Sequence, residues 1–358
     1  MDMWMQPRFL NLINLFGFTL LRNGVKYDYS FKESLLSLAP IVQKVYLALD
    51  PGSDTSESEL KKLPFVKIIP SVWDMTLKKG YVLSVETNKA LDALRADHQA
   101  DKNAWGIYLQ GDEVLHEDDY EILKRDIEEA NKGGYDAISF RYLHFWQTHH
   151  HIAISRRWYP TEIRALKLDS KIESWGDAQG FRLYHKVFNT EARIHHYGHV
   201  REQTSYVEKM RDMGSLYYTP ENLEERLSKG LEDAKKVKCI LYFGTHPSVM
   251  KERILRMNDI WELEEKKSIY IVGNPEKYSP EIISSIAAKK IIWCNSINDV
   301  PLAERSDMVI TEPSILDAVF KRSITPKKMK SKYANDWSLD FRFILQVSEK
   351  KIGFRNRS

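Results

Sequence analysis

Short apolar runs, each closed by a polar turn, recur through the first third of the chain, with helical periodicity between them. Residues 16–22 (FGFTLLR) read as a first strand and end at the turn dipeptide Asn23-Gly24. Ser30, the expected N-cap, opens FKESLLSLAP, whose apolar residues keep helical spacing until Pro40 stops them. VQKVYLALD is a second strand that breaks into the polar loop Asp50-Pro-Gly-Ser-Asp-Thr-Ser. Residues 65–69 predict a third strand, 84–96 a helix and 105–109 a fourth strand. This alternation predicts an α/β fold, a mostly parallel sheet flanked by helices, with its ligand-bearing loops at the carboxyl ends of the strands.

The rhythm continues with a helix over 118–132 and a strand in YDAISFRYLHFW. Aromatic and basic residues then dominate 141–201, with no long amphipathic helix. Residues 220–236 and 247–263 read as helices around the apolar CILYFG, and SIYIVGN, SPEIISSIAAKK, IIWCNS and DMVITEP resume a strand–helix–strand pattern. The expected organisation is a main domain over 1–263 (halves 1–120 and 121–263), a small appended α/β lobe over 264–326 and a basic segment over 327–358. Six Lys or Arg lie in 321–332 and four in the last nine residues. They predict a solvated tail, or contact with an anionic membrane surface or a phosphorylated partner.

Composition narrows the class. With 43% apolar and 29% charged residues over 358 positions, the chain reads as soluble and globular. A net charge of +3 makes no case for a nucleic-acid partner. The two cysteines, Cys239 and Cys294, have neither pairing nor metal spacing, which points to a reducing compartment. The apolar stretch 9–21 carries two Asn and is too short to span a bilayer. The expected location is the cytoplasm, with association at the inner face of the membrane left to the basic tail.

The candidate chemistry begins at AWGIYLQGDEVLHEDDY, residues 104–120, where a buried strand runs straight into acids. Glu117, Asp118 and Asp119 fit the N-terminus of the next helix. Asp112 and Glu113 fit either the same role or a divalent cation at the carboxyl end of a strand. The triplet His149-His150-His151 lacks partners at metal-ligand spacing and makes a poor zinc site.

Several stretches together resemble the GT-A glycosyltransferases, in particular the family 2-like bacterial enzymes. In order they are Leu20-Leu-Arg-Asn23, Leu47-Ala-Leu-Asp50-Pro-Gly-Ser-Asp54, Glu86-Thr-Asn-Lys-Ala-Leu91, Trp105 to Glu113, Ser174-Trp-Gly-Asp177-Ala-Gln-Gly-Phe181 and His195-His-Tyr-Gly-His-Val-Arg201. The resemblance spans roughly residues 16–255 and implies a UDP- or GDP-sugar donor, a sugar or glycan acceptor, Mn²⁺ or Mg²⁺, and a place in cell-surface polysaccharide biosynthesis. It assigns Arg22, Asn23, Asp50, Asp54, Asn88, Gln110 and Gly111 to the nucleotide side, and Asp112 and His199 to the metal. Asp177 is the implied base for an inverting transfer, with Glu173 as its fallback. Trp175, Arg156, Arg157 and Arg201 are assigned to the acceptor, and the planar fork of Arg201 also suits a phosphate. Arg164 belongs either with the acceptor residues or in the core. One departure stands out: Gln110 occupies the place of the first acid in the family's Asp-x-Asp element, which implies a weaker or dispensable metal. A nucleotidyltransferase, or a GT-A protein that binds without turnover, is the alternative; the first would need a Gly-rich basic loop after the first strand, and none is present.

Overall fold

The computed structural model of the chain describes residues 13–257, apart from 78, 150, 154–157, 235, 236, 238 and 242–244, and beyond these the strands at 269–272, 291–294, 309–310, 342–345 and 352–355. The chain forms two units: residues 1–143, 161–235 and 247–251 make the first, and 144–160, 236–246 and 252–358 the second.

The first unit begins as β1 (Asn14–Arg22), α1 (Phe31–Leu38), β2 (Val45–Asp50), α2 (Ser56–Leu60), β3 (Val66–Pro70), α3 (Tyr81–His98) and β4 (Ala104–Tyr108). The four strands are parallel in the order β3-β2-β1-β4. Every residue of β2 and β4, and all but the ends of β1, are buried. Cover on both faces explains why these strands read as unbroken apolar runs. Phe16, Phe18, Leu91, Leu94, Tyr108 and Phe181 share one buried cluster beneath α3, each such side chain contributing about 1.5–3 kcal/mol of burial. At the edge, β3 is only half-buried; it ends in Pro70 and carries Lys67, which pairs with Asp97 at 2.6 Å, a means of discouraging further strand pairing.

Beyond β4 come β5 (Glu113–Leu115), α4 (Tyr120–Lys132), β6 (Ala137–Trp146), β7 (His151–Ala153), β8 (Thr161–Lys167), β9 (Glu173–Trp175), β10 (Gly180–Arg182), β11 (Val187–His199), α5 (Gln203–Gly214) and α6 (Pro220–Ala234). Here pairing turns antiparallel: β8 lies between β4 and β6, β5 pairs with β11, and β9 with β10 forms a hairpin. The result is the expected α/β class, a sheet with a parallel centre flanked by helices. β1 sits where the strand order reverses, and such a point opens a crevice outside the carboxyl ends of the strands.

In the second unit, the end of β6 pairs with β7, which pairs antiparallel with β12 (Cys239–Leu241). β13 (Ile269–Val272), β14 (Ile291–Cys294) and β15 (Val309–Ile310) form a parallel sheet in the order β14-β13-β15. The helix expected in SPEIISSIAAKK, the 247–263 helix past residue 257 and the basic run 321–332 lie outside the described residues. Among those described, no helix is long and apolar enough to cross a membrane.

Two details depart from the sequence reading. Ser30 occupies the N-cap of α1, yet its side chain makes no capping hydrogen bond; only its carbonyl accepts, from Ser34 N at 2.8 Å. α5 was not expected, since QTSYVEKMRDMG shows no clean apolar stripe.

Candidate functional site

A cavity of about 300 Å³ opens at the carboxyl ends of the central strands. Its walls come from the loop after β1 (Arg22, Asn23, Lys26, Tyr27, Tyr29), from Ser53 after β2, from Trp73 and Met75 after β3, and from Asp212, Met213 and Ser215 at the end of α5. Aromatic faces and cations together suit a base, a ribose and phosphates, and the size is at the lower end for a small-molecule site.

Arg22 and Asn23 line the cavity; Asp50, Asp54, Asn88, Gln110 and Gly111 do not. Asp50 works from behind the wall. Its Oδ2 accepts from Arg22 Nη1 (3.2 Å) and Trp73 N (2.8 Å), and its Oδ1 from Gly52 N (2.8 Å). The carboxylate thus positions a cation and an indole that do face the cavity. Asn23, at φ 52°, ties the two loops together: Ser53 N donates to its Oδ1 at 2.8 Å. Gly52 has φ +59° and a Cβ there would run into Asn23 Oδ1, so glycine is required on both counts. Asp54 accepts from Lys26 N (2.7 Å) and Ser56 N (2.8 Å), joining the β1 loop to the start of α2. Asn88 pairs through both amide atoms with the backbone of Ser174, at 2.9 Å each way.

Asp112 is 5% exposed and sits among cations. Its Oδ2 lies 3.2 Å from Arg201 Nη2 and 3.4 Å from Lys209 Nζ, and its Oδ1 lies 3.7 Å from His196 Nε2. Burial alone would raise this carboxyl, but Lys209, His196 and Arg201 hold it below the usual carboxylate range. Burial in turn draws the Lys209 ammonium down to about 8, with Arg201 adding to the fall and Asp112 opposing it. His199 is kept well below its ordinary value by burial first and then by His196, Lys209 and Arg201; its Nδ1 lies 3.4 Å from Tyr206 Oη. Glu113 is fully buried in a two-pronged pair with Arg164, both contacts at 2.9 Å, and also accepts from Tyr142 Oη and Gln110 N. That pair places Arg164 in the core, away from any acceptor.

These residues do not fit a hard divalent cation. Among the described residues no group of three His, Cys, Asp or Glu is placed to hold a metal. Mn²⁺ or Mg²⁺ collects oxygen ligands, whereas Asp112 already meets two full positive charges. Unit charges about 4 Å apart interact by roughly 4 kcal/mol at an effective dielectric near 20, so a dication would have to compete with Arg201 and Lys209 for this one carboxylate.

Asp177 stands exposed in the β9–β10 turn. Three carbonyls of that turn are fastened from different directions. Gly176 O accepts from Ser84 Oγ on α3 (2.9 Å), Ala178 O from Gln110 Nε2 (3.2 Å), and Gln179 O from the buried Arg164 Nη1 (2.8 Å). The carboxylate is therefore presented on a rigid support. Glu173 pairs with Arg182 across the hairpin at 2.6 Å, and Trp175 is 51% exposed. Arg156 and Arg157 lie outside the described residues. Sequence reasoning missed Lys209, His196, Asp212 and Glu162. Lys209 and Asp212 ride on the unexpected α5, and the doublet His195-His196 was the only signal for His196.

No protein-family model matches the chain, and no curated protein does. Among solved structures, Staphylococcus aureus TarS is 12% identical with a TM-score of 0.35, covering 61% of this chain and 43% of that one. Residues 1–349 of TarS in complex with UDP are 12% identical at a TM-score of 0.34, covering 61% and 71%. HddC from Yersinia pseudotuberculosis is 14% identical at 0.28, covering 61% and 100%. The chain thus spans less than half the length of the full TarS chain, and likenesses of this size carry no argument about function.

Proposed function

We propose that the protein transfers a sugar from a nucleotide-diphosphate donor, UDP- or GDP-linked, to the hydroxyl of a sugar, glycan or other acceptor. The observation that carries this reading is the cavity at the β1 switch point, walled by Trp73, Tyr27, Tyr29, Arg22 and Lys26. A doubly wound sheet keeps its ligands at such a point, and these side chains match a nucleotide's faces and charges.

The acceptor oxygen attacks the anomeric carbon and gives its proton to the Asp177 carboxylate. The bond from the anomeric carbon to the diphosphate oxygen breaks, and its electron pair leaves with the nucleotide diphosphate. That leaving group needs no protonation, so one carboxylate suffices where a glycosidase uses two. The fastened turn supports Asp177 as a positioned base, and Gln110, in place of the family's first acid, helps to hold that turn. Trp175, exposed two positions before Asp177, is suited to stack on an acceptor sugar.

Titration with UDP and GDP, followed by transfer or hydrolysis assays over a panel of nucleotide sugars, tests the reading. Asp177→Asn should keep donor affinity near the parent's and lower transfer by about 10²–10⁴, the usual contribution of a general base. Full transfer by Asp177→Asn would remove it as the base.

A further inference from the structure

A departing nucleotide diphosphate gathers negative charge, and something at the site must meet it. Two cations line the cavity, Arg22 and Lys26, and two more, Arg201 and Lys209, lie against its wall residue Tyr29; the four pair with three carboxylates, Asp50, Asp212 and Asp112. Arg22 and Lys26 each have a carboxylate, whereas Arg201 and Lys209 share one. The excess positive charge therefore sits at Asp112. Both of its cations lie against Tyr29, 4.5 and 4.6 Å from the ring centroid, and Tyr29 is a wall of the cavity. Arg201 is buried and fixed by Tyr27 O and Gly198 O, each at 2.7 Å, while its Nε has no hydrogen-bond partner among the described residues. Lys209, with 20% of its side chain exposed, is the more accessible of the two. Gly198 leaves room for the His196 ring beside Asp112, since a Cβ there would stand 2.5 Å from His196 Nε2 and 3.1 Å from Asp112 Oδ2.

We propose that the donor site works without a divalent metal. Lys209, backed by Arg201, supplies the positive charge that holds the diphosphate and receives its developing charge. Asp112 serves as the tether that keeps these two cations against Tyr29, a wall of the cavity. The inference rests on the nucleotide-diphosphate reading above.

The test is calorimetry on the full chain with UDP, GDP, the matching nucleosides and inorganic pyrophosphate, in EDTA and then with Mn²⁺ or Mg²⁺. A nucleotide diphosphate should bind in EDTA with undiminished affinity. Lys209→Met should weaken that binding roughly 10–100-fold, the loss expected for a charged hydrogen bond, and leave nucleoside binding unchanged. Lys209→Arg should restore most of it. Should Lys209→Met not fold, the parent's affinity in EDTA against that in Mn²⁺ decides alone. Binding that requires the metal would overturn metal independence, and a folded Lys209→Met with full EDTA affinity would overturn the assignment to Lys209; either result leaves the nucleotide reading standing. Failure of every nucleotide to bind, with metal or without, would remove both.

Discussion

Glu162, near the start of β8, carries a carboxyl that burial pushes upward; Arg164 and the Gln179 amide hold it down, and Glu113 and Asp177 push it further up. A carboxyl raised in the folded state favours folding while protonated. That contribution is complete below the unfolded value, about 4.3, and is lost as pH rises through the folded value. Glu162→Gln should therefore leave Tm unchanged near about pH 4 and raise it at about pH 7, by thermal denaturation at both; a lower Tm at neutral pH would show that the fold favours the charge. Asp50 makes a second residue-scale test. Asp50→Ala should weaken UDP or GDP binding by about 1–3 kcal/mol and also lower Tm, because Arg22, Trp73 and Gly52 lose a common acceptor. A carboxylate that only touched ligand would leave Tm alone. In the sequence Asp50 was legible as a residue of this region, since a strand running into Asp-Pro-Gly is a strong local signal. Its role behind the wall was not, because that depends on Trp73, 23 positions away.

At the scale of elements, the turn that carries Asp177 depends on a buried ion pair. Arg164 grips Gln179 O and Glu113 together, and Glu113 in turn accepts from Gln110 N. Breaking such a pair from one side leaves a buried charge uncompensated and costs about 3–5 kcal/mol. Arg164→Met and Glu113→Gln should each show that loss in urea denaturation, and the double variant should lose less than their sum. Additive losses would mean the two side chains act independently. β1, β2 and β4 were legible because burial on both faces writes itself as continuous apolar runs. The pair was not: an Arg within the β8 sequence TEIRALK names no partner, and Glu113 lies 51 residues away. α5 escaped for the opposite reason. It carries polar side chains inward, Asp212 to the cavity and Lys209 to Asp112, so the usual apolar stripe is absent.

Across the whole first unit, a mostly parallel sheet with its ligand-bearing loops at the strands' carboxyl ends was legible from strand and helix alternation, whereas the strand order that makes β1 the switch point and the far wall of the cavity were not. That wall and the ion pairs beside Tyr29 join parts of the chain laid down far apart: Lys26 meets Asp212 across 186 residues, and Asp112 meets Lys209 across 97. Nucleotide at about 100 times its Kd adds about 2.7 kcal/mol to stability. Hydrogen exchange should show that protection concentrated in α5 and the 22–29 loop, with β1, β2 and β4 changed least; uniform protection would mean binding elsewhere. The long separations also set an order of assembly. Contacts of that span form slowly, because loop-closure entropy is met before they contribute, and the β1–β4 pairing, 90 residues apart, carries a similar cost. The strands of the parallel centre all lie within residues 14–108, although their core also takes in Leu166, Leu168 and Phe181, whereas the cavity is complete only with α5 in place. During synthesis, therefore, the chain has no complete binding site until α5, residues 203–214, has emerged.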